Sequence, residues 1–406
     1  MTTTAPAPDR PRPRSATWGL SAAGLRTVVV LELRQRVRAT RWIVVLCVWT
    51  ALIALFSVLG MVALHDVDGL TFSAIVLLVL SLGLLVAPAL AAASVNGDRA
   101  AGTLATLQTT LLTAAEIAVG KVLAAWTVAL VFLACALPFL VVAAVLGDVS
   151  APRLLRTIAM IVLVQGVVCL VGVAASTLAA RAALSAVLTY LAVALVCFGG
   201  PTLFGLASPF VVTQERVTVR QEAPAFTRYE SDFWTSPQAA ALDERYGATA
   251  QGVPADDADW DAYYVEQERL RMAYLAAFPG ERCTETTAVR ERYHGERIAW
   301  LLAASPYVLV ADVGTAPDPD AALSTGFDPL QLIQLGARAA QVSATGPIDE
   351  CWSDPTYTGA PDTDGSLPVW PLGLLLQLLL GAGCLLLAVR RLATPQRRLP
   401  KGTRVA

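Results

Sequence analysis

The chain has 406 residues, of which 55% are hydrophobic and only 15% are charged, and its mean hydropathy is +0.58. Soluble proteins have about 25% charged residues, so this composition excludes a water-soluble globular protein of this length. The net charge of −2 hides a strong separation of charge along the sequence, which decides the topology. We therefore predict an all-α polytopic membrane protein.

The first 41 residues are basic and end in an amphipathic pattern. Residues 20–41 have one apolar side, and arginines crowd the second half of this segment, among them Arg34, Arg36, Arg38 and Arg41. The pattern predicts a helix that lies in the inner headgroup layer with its arginines on anionic lipid. An ordinary juxtamembrane anchor is the simpler interpretation, and the two are compatible.

Six apolar runs are long enough to cross a bilayer, which needs about 20 residues. The fourth and fifth form one apolar tract broken by Arg181, and an undivided helix there would exceed any bilayer, so we predict a tight helical hairpin. The first run begins too late and is too long for a cleaved signal peptide. The predicted spans are residues 43–64, 70–93, 117–146, 154–179, 182–206 and 369–389.

Arginine is concentrated at both ends of the chain. Eight arginines precede residue 42, and the tail after residue 389 holds five arginines and Lys401. By the positive-inside rule both termini are cytoplasmic, in agreement with an even number of spans. The predicted divisions are a cytoplasmic tail with its helix (1–41), five spans (42–206), one large extracytoplasmic domain (207–368), the last span (369–389) and a basic cytoplasmic tail (390–406).

Residues 207–368 differ in composition from the rest of the chain. They hold 25 acidic residues against 11 arginines, a difference of 14, together with many aromatic residues. This combination indicates a folded, solvated domain. Within it, residues 266–277 predict an amphipathic helix, and the sequence around His294 predicts a solvated surface helix. Residues 298–313 are too short to span and predict a segment lying at the outer membrane surface.

Two cysteines, Cys283 and Cys351, fall in this domain, while the other five fall in predicted spans. An oxidising exterior favours pairing, so we favour a disulfide between them. The alternative is two free thiols too far apart to bridge.

Motifs for enzymatic chemistry are missing from the sequence. The two histidines are far apart, and neither a zinc-ligand spacing nor a paired CxxC occurs. Gly120 and Lys121 lack the upstream glycine and the following Ser or Thr of a phosphate-binding loop. We therefore expect no catalytic residue, no metal and no cofactor on this chain, and any ATP-driven step needs another subunit.

The interiors of the predicted spans contain no Asp, Glu, Lys, Arg or His, which argues against a carrier coupled to protons or sodium. Gln165 and Gln377 are among the strongest polar groups there. We interpret them as helix–helix hydrogen-bonding groups; the alternative is that one of them lines a substrate path.

The stretch between the second and third predicted spans, residues 94–121, contains an ordered set of polar and apolar residues. The set is Asp98, Arg99, Gly102, Thr103, Leu104, Leu107, Thr109, Thr110, Glu116, Ile117, Gly120 and Lys121. This order, together with the basic N-terminal helix, the hairpin at Arg181 and the six spans, resembles the type 2 family of ABC export permeases (ABC-2 type permease). The chain departs from the family in having Leu111 and Leu112 where a proline is common.

The resemblance implies that this stretch is the loop that couples the permease to its ATPase. Residues 103–109 are expected to form a short helix with Leu104 and Leu107 on one side, which suits a groove on a soluble partner; a solvated connector is the alternative. The resemblance also implies an ABC ATP-binding subunit that uses the ATP, a second permease copy or paralogue, and export of an unidentified substrate across the cytoplasmic membrane.

A function of a different class is the alternative at this point. The chain would then be a membrane-anchored receptor or assembly scaffold that acts through residues 207–368, and the spans would serve only as an anchor. Neither interpretation involves nucleic acid. Co-purification with an ATPase separates the two.

Overall fold

The computed structural model is mostly helical, and among the residues it describes it has six helices long and apolar enough to cross a membrane. Each of the six corresponds to a predicted apolar run, so the prediction of a multi-pass helical membrane protein is confirmed. The structure describes residues 17–37, 41–63, 70–100, 102, 112–247, 260–315, 328–342, 346–352, 363 and 365–393.

Among the described residues, helices account for most of the elements, and three strands occur in the second half of the chain. Up to residue 207, the described α-helices are α1 (Ala22–Val37), α2 (Arg41–Ala63), α3 (Leu70–Ala91), α4 (Ser94–Ala100), α5 (Ala114–Leu146), α6 (Ala151–Leu178), α7 (Ala182–Ala194) and α8 (Gly200–Ala207). The described strands and α-helices that follow are β1 (Val212–Glu222), α9 (Pro224–Phe233), α10 (Pro237–Arg245), α11 (Trp260–Ala276), β2 (Cys283–Tyr293), α12 (Pro306–Gly314), α13 (Pro329–Ala339), β3 (Ile348–Glu350) and α14 (Trp370–Leu392).

The structure divides into two compact units, each taken here for the residues described. The first comprises Met1–Phe210, Gly295–Val342 and Pro361–Ala406, and the second comprises Val211–His294 and Ser343–Ala360. The segment predicted as one extracytoplasmic domain, 207–368, therefore contributes to both units. Its part Gly295–Val342 belongs to the same unit as the apolar helices. This grouping joins residues far apart in sequence, so composition does not reveal it.

The helical hairpin predicted at Arg181 is present. α6 ends at Leu178, Ala179 is extended, and α7 begins directly after Arg181. A residue of α4 stabilises this turn, because Arg99 donates to the carbonyl of Ala179 at 2.9 Å. Each of the two helices is then long enough to cross a bilayer by itself when α7 continues through α8.

The core of the first unit lies between α3, α5 and α6, whose facing side chains are buried. Small residues allow these helices to approach closely: a Cβ added to Gly172 would lie 2.5 Å from the Cβ of Ala91. At the edge of this core, Trp49 on α2 donates to the carbonyl of Phe132 at 3.1 Å. In contrast, much of α2 is exposed, as expected for a helix that faces lipid.

The two buried glutamines differ in their bonding. Gln377 donates to the carbonyl of Ala304 at 2.9 Å, so it joins α14 to another segment as interpreted from the sequence. Gln165 is 2% exposed and lies against Gly83. Its Oε1 atom has no hydrogen-bond partner among the described residues.

Residues 299–314, called the inserted segment below, consist of a 3₁₀ helix (Ala299–Ala304) followed by α12. The prediction that this stretch lies on the membrane surface is wrong. Val308, Leu309 and Val310 are all at most 5% exposed, and α12 packs against α6, α13 and α14. A segment too short to span is here buried among helices of the bundle, which a length criterion cannot distinguish from a surface segment.

The second unit contains a three-stranded sheet in the order β2-β1-β3, so the prediction of an all-α protein is corrected. β1 and β2 are antiparallel from the Val212–Tyr293 pair to the Glu222–Cys283 pair, and β3 is parallel to β1. On β1, Val217 and Val219 are buried on one face, following the two-residue period of a strand.

The sequence around His294, predicted as a surface helix, belongs to this sheet. β2 runs to Tyr293, and on it Arg290 forms a bidentate ion pair with Glu350 at 2.8 and 3.1 Å. This ion pair lowers the pKa of Glu350. Charged residues lie on both faces of this strand. In so short a stretch, such a pattern is difficult to distinguish from that of a solvated helix.

Aromatic residues hold the helices of the second unit together. Tyr229 on α9 stacks on Tyr274 of α11 with ring centroids 4.5 Å apart. Tyr263 donates to Asp243 on α10 at 2.8 Å, and burial is the main reason that its pKa is raised to about 12. α11 includes most of the amphipathic stretch predicted from the sequence, 266–277.

Cys283 and Cys351 form a disulfide, with their Cα atoms 5.9 Å apart. The bond joins the first residue of β2 to the residue that follows β3. It therefore closes the sheet across β1, which separates these two strands.

Candidate functional site

The candidate site lies where α1, α4 and the start of α5 meet. Its central group is Lys121, whose side chain is fully buried. The ammonium group forms ion pairs with Glu32 of α1 and Asp98 of α4, and it donates to the carbonyl of Ser94 at 2.8 Å. A lysine is almost never fully buried unless it is paired. Here one cation joins three separate helices.

A second polar group fixes the N-terminus of α5. Thr113 and Glu116 form a capping box, in which Thr113 accepts from the backbone N–H of Glu116 at 3.1 Å and Glu116 accepts from that of Thr113 at 2.8 Å. The other carboxylate oxygen of Glu116 accepts from the N–H and hydroxyl of Ser21 at 2.8 and 2.7 Å. A carboxylate at this position also interacts favourably with the helix dipole. The residues that precede α1 are thus tied to the start of α5.

Between these two groups, α1 and α5 are in close backbone contact. A Cβ added to Gly120 would lie 2.7 Å from the Cβ of Val28, and one added to Gly24 would lie 2.6 Å from Glu116 Oε1. Gly24, Val28 and Glu32 recur every four residues, so they share one face of α1. Val28 belongs to the apolar side predicted from the sequence, so part of that side is buried against α5.

The opposite face of α1 is exposed. This face presents Arg26, Val30, Leu31 and Arg34. It combines two cations with two branched apolar side chains, which is the combination that anionic lipid headgroups and their acyl chains favour.

Arg99 fixes the other side of the site. It donates to Asn96 at 3.2 Å and to the carbonyls of Ala179 and Thr177 at 2.9 and 3.4 Å. Its guanidinium therefore bridges α4 and the turn after α6. Ser176 completes this contact by accepting from the N–H groups of Val95 and Asn96 at 3.0 and 3.2 Å.

The residues that carry the family resemblance thus fall into two groups. Asp98, Arg99, Glu116 and Lys121 lie at the two ends of the stretch and hold it to the bundle, and Gly102 lies between them with φ of +69°, a value that favours glycine. Thr103, Leu104 and Leu107, with the short helix predicted there, lie outside the described residues, as does Arg38. Arg36 lies in α1 and Arg41 begins α2.

The stretch predicted as one loop, 94–121, is shorter than expected. Its first seven residues form α4, and its last eight are the first turns of α5. At 1.5 Å per residue, the 33 residues of α5 extend about 50 Å against a hydrocarbon core of about 30 Å. Glu116 and Lys121 can therefore lie on a span helix and still be outside the hydrocarbon.

Three partners of the site were not identified from the sequence. Glu32, Ser21 and Thr113 were missed because two of them are about 90 residues from the groups they bind. A local signal existed for Thr113, which stands three residues before Glu116 in the spacing of a capping box. Glu32 could have been noticed as the acidic residue among the basic ones of α1.

No cluster of three or more potential metal ligands occurs in the described part of the chain. His294 lies in the second unit, where it is 2.9 Å from the Thr213 hydroxyl and 3.2 Å from Glu215. The pKa of Glu215 is lowered because its carboxylate accepts hydrogen bonds from Thr213 and His294. Comparison of the chain with protein-family models, curated proteins and solved structures finds no match.

Proposed function

We propose that this chain is the membrane-spanning permease subunit of an ATP-driven exporter of the type 2 ABC class. ATP would be bound and hydrolysed by a separate subunit, and a second permease copy or a paralogue would complete the translocation unit in the cytoplasmic membrane. The proposal is supported most by one observation, the buried Lys121 cluster with Glu32 and Asp98.

The Lys121 cluster gives residues 101–113 a rigid base. The segment leaves α4 within three residues of Asp98 and re-enters the bundle at the capping box of Thr113 and Glu116. A force applied to a segment held in this way is passed to α1, α4 and α5 together, because close-packed helices joined by a buried ion cluster transmit strain. This is what a coupling element between an ATPase and a set of spans requires.

The exposed face of α1 fits the same proposal. With Arg26 and Arg34 on anionic lipid, α1 would lie along the cytoplasmic membrane surface beside the coupling segment. The coupling segment would then move relative to α1, which the membrane holds in place.

The receptor or scaffold alternative makes a different prediction for the same residues. If the second unit alone carries the function, the Lys121 cluster is only structural and residues 101–113 are a connector. Changes in that segment would then leave any partner bound to the chain unaffected.

The decisive experiment is affinity purification from native membranes, with identification of a co-purifying ATP-binding subunit and measurement of its ATPase activity. We expect Leu104→Ala/Leu107→Ala to weaken that association by about 1–3 kcal/mol, as truncation of buried interface anchors does. The control is Leu146→Ala/Leu155→Ala, which changes two leucines that are 64% and 68% exposed beside the short turn between α5 and α6. Wild-type association and ATP hydrolysis in the first variant would reject the coupling role.

A further inference from the structure

One edge of the sheet in the second unit is formed by β2. This strand pairs with β1 on one side only, and the pairing is continuous over all 11 residues, without a bulge. Edge strands are commonly protected by short length, proline, lysine or a bulge, and β2 has none of these. Its charged residues are glutamates and arginines, and their positions decide what the edge can accept.

Backbone hydrogen bonds show which residues of β2 face this edge. His294 donates to the carbonyl of Val211 at 2.9 Å, and Ala223 donates to that of Arg282 at 2.8 Å. Both pairs continue the register of β1 and β2, and hydrogen-bonded pairs alternate along an antiparallel ladder. The even-numbered residues of β2 therefore bond to β1, and the odd-numbered residues point their N–H and C=O groups outward.

Four of the outward-facing residues are Glu285, Thr287, Val289 and Glu291. Among the described residues, their backbone N–H groups have no hydrogen-bond partner, and the contact to their carbonyls is from Arg290 to Val289 at 3.4 Å. Their side chains share one face of the strand and all four are exposed, with Val289 57% exposed. An added strand would therefore form ladder bonds and also cover an exposed valine.

Two carboxylates lie on this exposed face without an ion-pair partner. Glu285 and Glu291 form no side-chain hydrogen bond or ion pair in the part of the chain that the structure describes. Arg220 lies opposite Glu285 on β1, but its guanidinium pairs with Asp349 at 2.9 Å. The exposed face of β2 is therefore acidic.

The two arginines of β2 are directed away from the free edge. Arg290 reaches across β1 to Glu350 of β3. Arg292 donates to the carbonyl of Gly346, two residues before β3, at 2.8 Å. Neither cation is thus placed to meet a strand added beside β2. Opposite charges stabilise cross-strand pairs, so the edge favours a strand with basic side chains.

The spacing of the carboxylates defines a sequence pattern for such a strand. Glu285 and Glu291 are six positions apart on one face, or about 20 Å along the strand. In an added antiparallel strand, the residues opposite them are also six positions apart. The two residues between these on the same face lie opposite Thr287 and Val289, where β-branched side chains pack well.

A second copy of β2 fits the edge less well. A two-fold axis through Ala288 pairs the whole strand with its copy, but it places Glu285 opposite Glu291 at two positions. Like charges directly opposite each other are destabilising. Neighbouring registers avoid this conflict only by leaving residues at the ends of the strand unpaired.

We propose that β2 is a docking edge for an extended polypeptide segment that carries two basic residues six positions apart. The segment would join the sheet as a fourth strand, antiparallel to β2, with its basic side chains on Glu285 and Glu291. In recognition of this kind, main-chain hydrogen bonds supply affinity and side chains supply specificity. The inference concerns the second unit alone and does not depend on the proposed function.

The probe is an acetylated and amidated peptide of sequence KTVTVTK, in which benzoylphenylalanine replaces the first valine. It is irradiated with the purified full-length chain, whose disulfide is intact, and mass spectrometry measures the amount and position of the cross-link. We expect the cross-link on β2 near Val289, which lies opposite the substituted position. A peptide with glutamate in place of both lysines should give about fivefold less product, because it places like charges opposite each other.

Backbone pairing is tested with two N-methylated forms of this peptide. Methyl groups on the remaining valine and both lysines replace N–H groups that would face β2, whereas methyl groups on the threonines replace those that would face away. The first form should lose the cross-link and the second should retain it. Equal amounts of product from the two forms would overturn the addition of a strand.

Variants of the chain locate the docking surface. Glu285→Gln/Glu291→Gln should reduce the cross-link about fivefold through loss of both charge pairs. Glu244→Gln/Asp261→Asn removes two exposed carboxylates of α10 and α11; it is the matched control and should have no effect. Thr287→Pro should reduce the cross-link about tenfold, because proline removes an outward N–H and leaves the bonds to β1 in place. If this variant does not fold, the glutamine variant decides.

Equal product from the two double variants, or a cross-link outside β2, would overturn the docking edge. Occupation by a second copy is the remaining outcome. Val289→Cys, in a chain whose five free cysteines are replaced by alanine, would then form a disulfide-linked dimer. If an excess of the unsubstituted peptide KTVTVTK did not prevent this dimer, the proposal of a separate basic segment would be overturned as well.

Discussion

A single lysine determines how the candidate site is held together. Lys121 contacts two carboxylates, on α1 and α4, and both are largely buried, with side chains 8% and 12% exposed. Desolvation of three charged groups is expensive, so such a cluster adds little net stability compared with apolar packing. Removal of one charged member should be strongly destabilising, because the charges that remain buried have lost their counter-ion. The cluster therefore acts more through specificity of the helix arrangement than through stability.

Lys121→Met should accordingly destabilise the chain by about 3–5 kcal/mol, as the breaking of buried ion pairs does. The measurement is thermal unfolding of the purified protein in detergent, followed by tryptophan fluorescence. Lys121→Met/Glu32→Gln/Asp98→Asn, which removes all three charges, should recover most of the loss. Arg34→Met, on the exposed face of α1, is the control and should change the melting temperature little. A Lys121→Met variant as stable as the unaltered chain would show that the cluster does not hold the helices together.

Only part of this site could be read from the sequence at the scale of single residues. Asp98, Arg99, Glu116 and Lys121 were selected by their order along the chain, and the structure places all four in contacts that hold the two ends of the stretch. Their partners were not selected. Lys121 and Glu32 are 89 positions apart, and no local pattern contains information on which distant helix face will meet another.

At the scale of elements, the length of an apolar run predicted the six spans. The same criterion did not predict where shorter apolar segments lie. Runs of more than 20 apolar residues have one stable arrangement, because every backbone polar group must be bonded within the helix in lipid. The inserted segment, 299–314, has no such constraint. Its Ala304 carbonyl is bonded by Gln377, and its Asp312 carboxylate is bonded by Arg338 and the start of α14; only the folded bundle supplies these partners.

The disulfide belongs to the same scale, since it joins two strands. Loss of a cross-link between positions separated by 68 residues should reduce the stability of the second unit by about 4 kcal/mol on the loop-entropy estimate. Cys283→Ser and Cys351→Ser should each abolish the mobility difference between reduced and non-reduced protein, and each should lower the melting temperature. Cys47→Ser, at an exposed position on α2, should do neither. Free thiols at both positions in protein purified without reductant would contradict the pairing.

At the scale of the whole molecule, charge is separated along the sequence. The basic residues near both termini contrast with the acidic excess of residues 207–368. The positive-inside rule applies to short loops and to residues close to the spans, and long translocated domains are exempt. The arginines of the second unit, among which Arg220, Arg271 and Arg290 form ion pairs within the unit, therefore do not count against an extracytoplasmic position. With six spans, the turn between α5 and α6 and the Lys121 cluster lie on opposite sides of the membrane, whichever way the chain is inserted.

This arrangement predicts which single cysteines a membrane-impermeant maleimide reaches in intact cells. The background chain retains the disulfide and has its five free cysteines replaced by alanine. Ser150→Cys, in the turn before α6, and Thr287→Cys, on the exposed face of β2, are both at exposed positions and should be labelled from outside. Gly97→Cys on α4 is also exposed, with nothing within 4 Å of its added Cβ, but it should be labelled only after the membrane is permeabilised. Because all three positions are accessible on the protein, a difference in their labelling reports the side of the membrane and not burial.

The opposite result would be labelling of Gly97→Cys in intact cells with protection of the other two positions. The topology would then be inverted, and the Lys121 cluster would lie on the side of the membrane that has no ATP. The proposed function would then fail.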